Sequence, residues 1–255
     1  MIIQDVKKPK LVKDLNCLKV DNLSSFYKRK KILNDISIHV KQGEIVGLLG
    51  PNGAGKTTCF QCIAGLQAIE HGNISLNNIN ITSLPIFKRA RLGLNYLPQE
   101  TSIFRGLSVE QNISSIIQIN RSNEERTDNE FLDELLNEFS LDHIRNASAV
   151  TLSGGQKRRV EIARALASKP KFMLLDEPLA GIDPIALIDI KNIIYKLKEK
   201  NIGILITDHN VRETLQTVDR SYILHDGKII ASGSSEKLLE DTHVRRVYLG
   251  EKFKL

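Results

Sequence analysis

Residues 50–58, Gly50-Pro51-Asn52-Gly53-Ala54-Gly55-Lys56-Thr57-Thr58, constrain this chain more than any other stretch. They follow an apolar run, Glu44-Ile45-Val46-Gly47-Leu48-Leu49, that reads as a buried strand. They precede Cys59-Phe60-Gln61-Cys62-Ile63-Ala64, a segment without breakers that reads as a helix starting near Lys56. Strand, glycine-rich turn and helix form the context in which G-x-x-x-x-G-K-[ST] is a phosphate site. The glycines let the backbone curl with its N–H groups facing inward, and the helix points its positive end at the same spot. Lys56 is placed to neutralise β- and γ-phosphates, and the Thr57 hydroxyl to ligate Mg²⁺. A glycine-rich turn that binds nothing is the bland alternative, and both flanks argue against it.

A length of 255 residues suits one large α/β domain, or a core domain with an insertion. The net charge of +6 is mixed along the chain, which permits a negatively charged neighbour without demanding one. No apolar run approaches a membrane span, and residues 1–14 carry lysines but no apolar signal core. A cytoplasmic protein is expected, with any membrane work done through a partner. Residues 1–14 read as a loose basic extension. The three cysteines, Cys17, Cys59 and Cys62, are too few and too odd in number for a disulfide framework. Cys59 and Cys62 share one helix face and read as small apolar packing residues.

Apolar alternation predicts strands at 17–20 and 32–40, with Phe26-Tyr27-Lys28 between them. Tyr27 offers a ring that either packs or stacks on a nucleobase. Residues 71–78 read as a turn and a short strand, followed by a basic patch at Lys88-Arg89-Ala90-Arg91. Residues 93–100 read as a strand closed by Pro98, which sets Gln99 at a strand end, within reach of a metal or a water. Residues 105–150 hold no convincing strand. Ser108 and Gln111 have capping-box spacing, and Phe131, Leu132, Leu135, Leu136 and Phe139 recur at helical spacing, as the stripe of a helical insertion with its own core.

Leu152-Ser153-Gly154-Gly155-Gln156 opens a second anion device, in which Ser153 caps the helix over 157–166 and the glycines leave its first N–H groups uncovered. Taken alone, this is equally an ordinary capped helix. The apolar run 171–175 ends in Asp176-Glu177, two carboxylates at a strand's carboxyl end. Asp176 suits Mg²⁺, held through water, and Glu177 suits taking a proton from an attacking water. Asp183 lies in a turn opening a further helix. The strand 202–207 delivers His209 to the same rim as Lys56 and Glu177, placed to donate to a γ-phosphate oxygen or to orient the water. Residues 221–231 read as a hairpin around Asp226-Gly227, followed by a short helix from Ser235 and a basic end with His243, Arg245 and Arg246.

In this order the motifs resemble the ATP-binding subunits of ABC transporters, from about residue 18 to the end. Residues 44–49, 96–105, 207–214 and 246–251 are further similar to the lipopolysaccharide-export members of that family. The resemblance implies an α/β P-loop NTPase with a RecA-like core, an antiparallel β subdomain and an all-helical subdomain at about residues 105–165, within a nucleotide-binding domain over 15–255. It implies ATP and Mg²⁺ as ligands. Lys56, Glu177 and His209 are then catalytic. Tyr27 stacks on adenine, and residues 50–58 hold the phosphates. Gln99 senses Mg²⁺ alongside Thr57 and Asp176. Ser153, Gly154, Gly155 and Gln156 grip the γ-phosphate held by a second copy, and Asp183 crosses the dimer seam.

The partners implied are a head-to-tail homodimer bridged by ATP and two integral membrane permeases, docked near Gln99, Phe104 and Arg105, at the cytoplasmic face of the inner membrane. No nucleic-acid partner is expected. Lipopolysaccharide extraction is the activity implied, with an amino-acid importer ATPase as the nearest rival. A soluble ABC protein of translation or DNA repair would carry two such units or a long coiled coil, and this chain shows one unit and no sustained heptads. A small-molecule kinase would have no use for residues 152–156.

Overall fold

The computed structural model describes residues 16–27, 30–120, 127–250 and 253. The expectation for residues 1–14, the side chain of Tyr27, and Glu251 of the C-terminal resemblance lie outside the described residues.

Strands β1 (Cys17–Tyr27) and β2 (Lys30–Lys41) pair antiparallel, and both run longer than the alternation predicts. Register shifts along β1 break the strict period of two, so the pattern at its far end is lost from the sequence. After β3 (Ile45–Leu49) and helix α1 (Lys56–Ala64), the chain returns as β4 (His71–Leu76) and β5 (Ile79–Asn80). Asn77 and Asn78, with φ of 49° and 66°, make the tight turn between them. The order β2-β1-β4-β5 is a wholly antiparallel sheet.

Helix α2 (Ile86–Arg91) leads into β6 (Leu94–Leu97). Helices α3 (Val109–Ile119), α4 (Asp128–Glu138) and α5 (Gly154–Leu166) follow, then β7 (Phe172–Asp176), α6 (Pro184–Glu199) and β8 (Gly203–Thr207). Helix α7 (Val211–Thr217), the hairpin β9 (Arg220–His225) and β10 (Lys228–Gly233), and α8 (Ser235–Glu240) end the sequence of main elements. The second sheet runs β10-β9-β3-β8-β7-β6, parallel from β9 to β6 with β10 antiparallel at its edge.

The parallel strands are continuous apolar runs because both faces are covered. Met173, Leu175, Ile204 and Ile206 face a cluster shared with α3 to α6. Phe172, Leu174 and Leu205, one residue out of step, face a second cluster. There Phe60 and Ile63 of α1 meet Leu18, Val20, Ile36 and Ile38 of the antiparallel sheet. Cys59 and Cys62 are buried and reduced in this layer, as the packing reading expects.

Three local expectations are corrected. Helix α5 begins at Gly154, not at Lys157, so the glycines form its first turn. The stripe Leu132, Leu135, Leu136 and Phe139 is no separate core; it joins the cluster lined by Met173 and Leu175, because α3 and α5 bridge it to the sheet. The basic patch is not all surface. Arg89 is buried and donates to the carbonyls of Thr82, Leu84, Cys62 and Ile63, closing the C-terminal end of α1.

Arg89 satisfies four backbone acceptors, two of them through fully buried hydrogen bonds. We expect Arg89→Met to destabilise the fold by roughly 3–5 kcal/mol, since those carbonyls lose their donor. A thermal melt should show a fall on the order of 10 °C; a change below about 1 kcal/mol would mean the carbonyls find other donors.

Candidate functional site

Strands β3, β7 and β8 run parallel, so their carboxyl ends meet on one rim. The chain leaves β3 through Gly50, whose φ of 156° brings its backbone so close to the Leu224 carbonyl that a Cβ would sit 2.0 Å from that oxygen. Gly55 caps α1 in the left-handed region at φ 107°, where a Cβ would also crowd Leu33. No side chain caps α1, so its first N–H groups face the loop. An open cavity of about 550 Å³ lies there, lined by Asn52, Gly53, Gly55, Lys56, Thr57 and Thr58, with Glu177 on the opposite wall.

Lys56 is buried, and its Nζ donates to the Gly50 and Pro51 carbonyls at 2.7 and 3.1 Å. Burial pushes its pKa down, while Glu177, Asp176 and Asp208 pull it back up. The ammonium thus rests on two backbone carbonyls within the field of three acidic side chains.

Asp176 ends β7 fully buried. Its Oδ2 accepts from the Tyr96 hydroxyl at 3.1 Å, and its Oδ1 is buried without a hydrogen-bond partner. Desolvation pushes its pKa up to about 6, opposed by the Tyr96 hydrogen bond and reinforced by Glu177. An orphaned carboxylate oxygen on a side chain close enough to act on the charge of Lys56 is a hard oxygen donor, which fits Mg²⁺.

Glu177 follows with φ 47°, a left-handed conformation uncommon for this residue. Its N–H is tied to the Thr207 carbonyl, and its Oε2 accepts from Gln99 Nε2 at 2.6 Å and meets His209 Nδ1 at 3.1 Å. The structure thus brings Gln99, Glu177 and His209 together over Lys56. Gln99 spends its amide N–H₂ on the carboxylate, leaving its oxygen free for a cation.

Ser153 caps α5 in a full capping box with Gln156. The Ser153 Oγ accepts from the Gln156 N–H, which leaves the hydroxyl proton to donate outward from an exposed position. Neither Ser153 nor Gly155 lines the phosphate-loop cavity. Asp183 caps α6 through the Ile185 and Ala186 N–H groups and also lies off that cavity. The capped start of α5 thus lies off the phosphate-loop cavity, while Gly154 lines a small pocket with Gln99 and Glu177.

The sequence reading missed several supporting groups. Asp208 is fully buried and accepts from the Leu179 and Asn210 N–H groups, which joins the segment after Glu177 to the one carrying His209. Its place at the end of a parallel strand, like that of Asp176, is the signal that could have found it. Arg158 and Glu161, one turn apart on α5, form a buried ion pair at 3.2 Å. Arg158 also donates to the carbonyls of Pro98 and Asp176, and Glu161 accepts from the Ser102 N–H. Nothing local marks this pair as buried.

Residues 98–104 are thereby fixed at the edge of a groove of about 320 Å³. Asn112 holds both backbone groups of Phe104, and the Arg164 guanidinium lies 4.6 Å from the centre of its ring. Phe104 is exposed, as are Phe87 and Ile119 near the same groove. No helix among the described residues is long and apolar enough to cross a membrane.

The ABC transporter family model matches residues 33–180. A probable ABC transporter ATP-binding protein of Azorhizobium caulinodans is 54% identical over 91% of this chain and 83% of its own length. The lipopolysaccharide export system ATP-binding protein LptB of Escherichia coli K12 is 52% identical over 93% of this chain and 99% of its own. Among solved structures, the ADP conformation of MJ1267, an ATP-binding cassette of an ABC transporter, superposes with a TM-score of 0.82 at 30% identity, over 92% of this chain and 99% of that one. The likeness spans both sheets and the helices between them, and on that ground the chain belongs to the ABC transporter family as one of its ATP-binding, ATP-hydrolysing subunits.

Proposed function

We propose that this chain powers lipopolysaccharide extraction from the inner membrane, working at its cytoplasmic face beneath integral membrane partners. The observation that carries the choice of cargo is the 52% identity with LptB of Escherichia coli across nearly both chains. The observation that carries the chemistry is the meeting of Gln99 and His209 on one oxygen of Glu177. Residues 15–255 act as one nucleotide-binding unit, with the helices within about 105–165 as its helical subdomain.

The loop N–H groups and the start of α1 bind the phosphates of ATP, and Lys56 neutralises them. Asp176, Thr57 and Gln99 would hold Mg²⁺, which supplies charge neutralisation across the β- and γ-phosphates. Glu177 takes a proton from the attacking water, and His209 orients that carboxylate and the water. Tyr27 stacks on adenine. The Ser153 hydroxyl and the N–H groups of Gly154, Gly155 and Gln156 from a second copy bind the exposed γ-phosphate, with Asp183 at the seam. Pairing is head to tail, so that residues 153–156 of one copy meet the phosphate loop of the other. After hydrolysis the bridging charge is lost and the dimer opens. The surface around the exposed Phe104, with Gln99 and Arg105 near it in sequence, receives each membrane subunit.

Glu177→Gln keeps the shape and loses the base. We expect it to bind ATP normally and to hydrolyse it roughly a hundredfold slower or worse; near-normal release of free phosphate would remove Glu177 from the mechanism. For Phe104→Ala, ATPase activity of the isolated protein should persist while co-purification with the membrane subunits is lost, and undiminished capture would move the docking site elsewhere. Asp176→Asn tests the electrostatics. A carboxyl raised from 3.8 to about 6 costs stability as pH rises through that window, about 3 kcal/mol once fully ionised. In Mg²⁺- and nucleotide-free buffer the variant should melt several degrees above the native protein at pH 8, with the gap closing towards pH 4; a pH-independent gap would contradict this.

A further inference from the structure

Tyr96 sits on β6, the strand next to β7, and its register partner is Leu174, two residues before Asp176. Its hydroxyl crosses to Asp176 Oδ2 at 3.1 Å. A carboxylate at the end of a strand can rotate about its last bond, which is broad and soft. Donation to Oδ2 removes that freedom and selects which oxygen remains. The oxygen left over, Oδ1, is buried and unpartnered. A buried lone acceptor of this kind is costly on its own and gains most from a cation or its bound water.

The same tyrosine lines the groove of about 320 Å³, with Ser102, Glu161 and Arg164 as further walls. Tyr96 is thus a side chain common to the groove and to the carboxylate at the nucleotide site. We propose that Tyr96 is a positioning residue for divalent-metal binding: its hydroxyl locks Asp176 so that Oδ1 faces the metal. The proposal rests on the reading of Asp176 as a Mg²⁺ residue. It assigns Tyr96 no contact with nucleotide or with the metal itself.

The test measures affinity for a fluorescent, non-hydrolysable ATP analogue, in EDTA and in saturating Mg²⁺, for native protein, Tyr96→Phe, Asp176→Asn and the double variant. Tyr96→Phe keeps the ring and removes one hydrogen bond; a thermal melt confirms that it folds. The expected result is unchanged affinity in EDTA and a tightening by Mg²⁺ that is smaller by roughly fivefold, the scale of one net protein hydrogen bond. The double variant should lose no more than Asp176→Asn alone, because Tyr96 acts only through that carboxylate.

Paramagnetic resonance of Mn²⁺ bound with the analogue gives a second readout, with altered coordination expected in Tyr96→Phe. If Asp176→Asn loses the Mg²⁺ effect while Tyr96→Phe keeps it in full, the proposal for Tyr96 is overturned and the metal reading stands. If neither variant changes the Mg²⁺ effect, the metal reading itself fails and takes the proposal with it. An equal loss of affinity in EDTA and in Mg²⁺ would show that the hydroxyl only props the fold, which also overturns it.

Discussion

The parallel pairing of β3, β8, β7 and β6 is the constraint on which the site depends. Parallel strands deliver all their carboxyl ends to one edge, where the polar groups that follow them meet. Four segments use that edge: residues 50–58 after β3, Gln99 after β6, Asp176 and Glu177 at β7, and Asp208 with His209 after β8. The pairing of Asp176 with Thr207 fixes the relative height of the last two. A slip of one residue would exchange Met173 and Leu175 with Leu174 between the two apolar layers, so the core itself holds the site in register.

Within that frame the site is kept under electrostatic tension. Lys56, Asp176 and Asp208 are all buried, and burial moves each away from its preferred charge state. Glu177 adds backbone strain through its left-handed φ. The connecting element is the segment 98–104. It touches Glu177 through Gln99, α5 through the Arg158–Glu161 pair, and the groove through Ser102.

The buried pair Arg158–Glu161 shows why such a segment stays in one place. Two charges in the interior cost more than two apolar side chains would, yet breaking the pair leaves an unpaired ion. Here both partners also serve backbone groups of 98–102 and of Asp176, so a shifted loop would strand several donors and acceptors at once. The pair contributes specificity of geometry more than net stability.

Residue order alone determined a great deal. The strand–loop–helix around Lys56, the acids ending an apolar run at Asp176, the caps at Ser108 and Ser153 and the Asp226–Gly227 turn all rest on neighbours within a few positions, where the physics is local. The alternation of apolar residues in β2 and the unbroken runs of β3, β7 and β8 likewise declare themselves. Tertiary structure alone decided what depends on distant partners. Arg89 looks like surface charge until four carbonyls from two other segments surround it. The stripe of α4 looks self-contained until α3 and α5 join it to the sheet. Tyr96 looks like strand filler until the register with β7 sets its hydroxyl against Asp176. Periodicity reports which face of an element is apolar; only the folded chain reports what that face, or a single polar atom on it, meets.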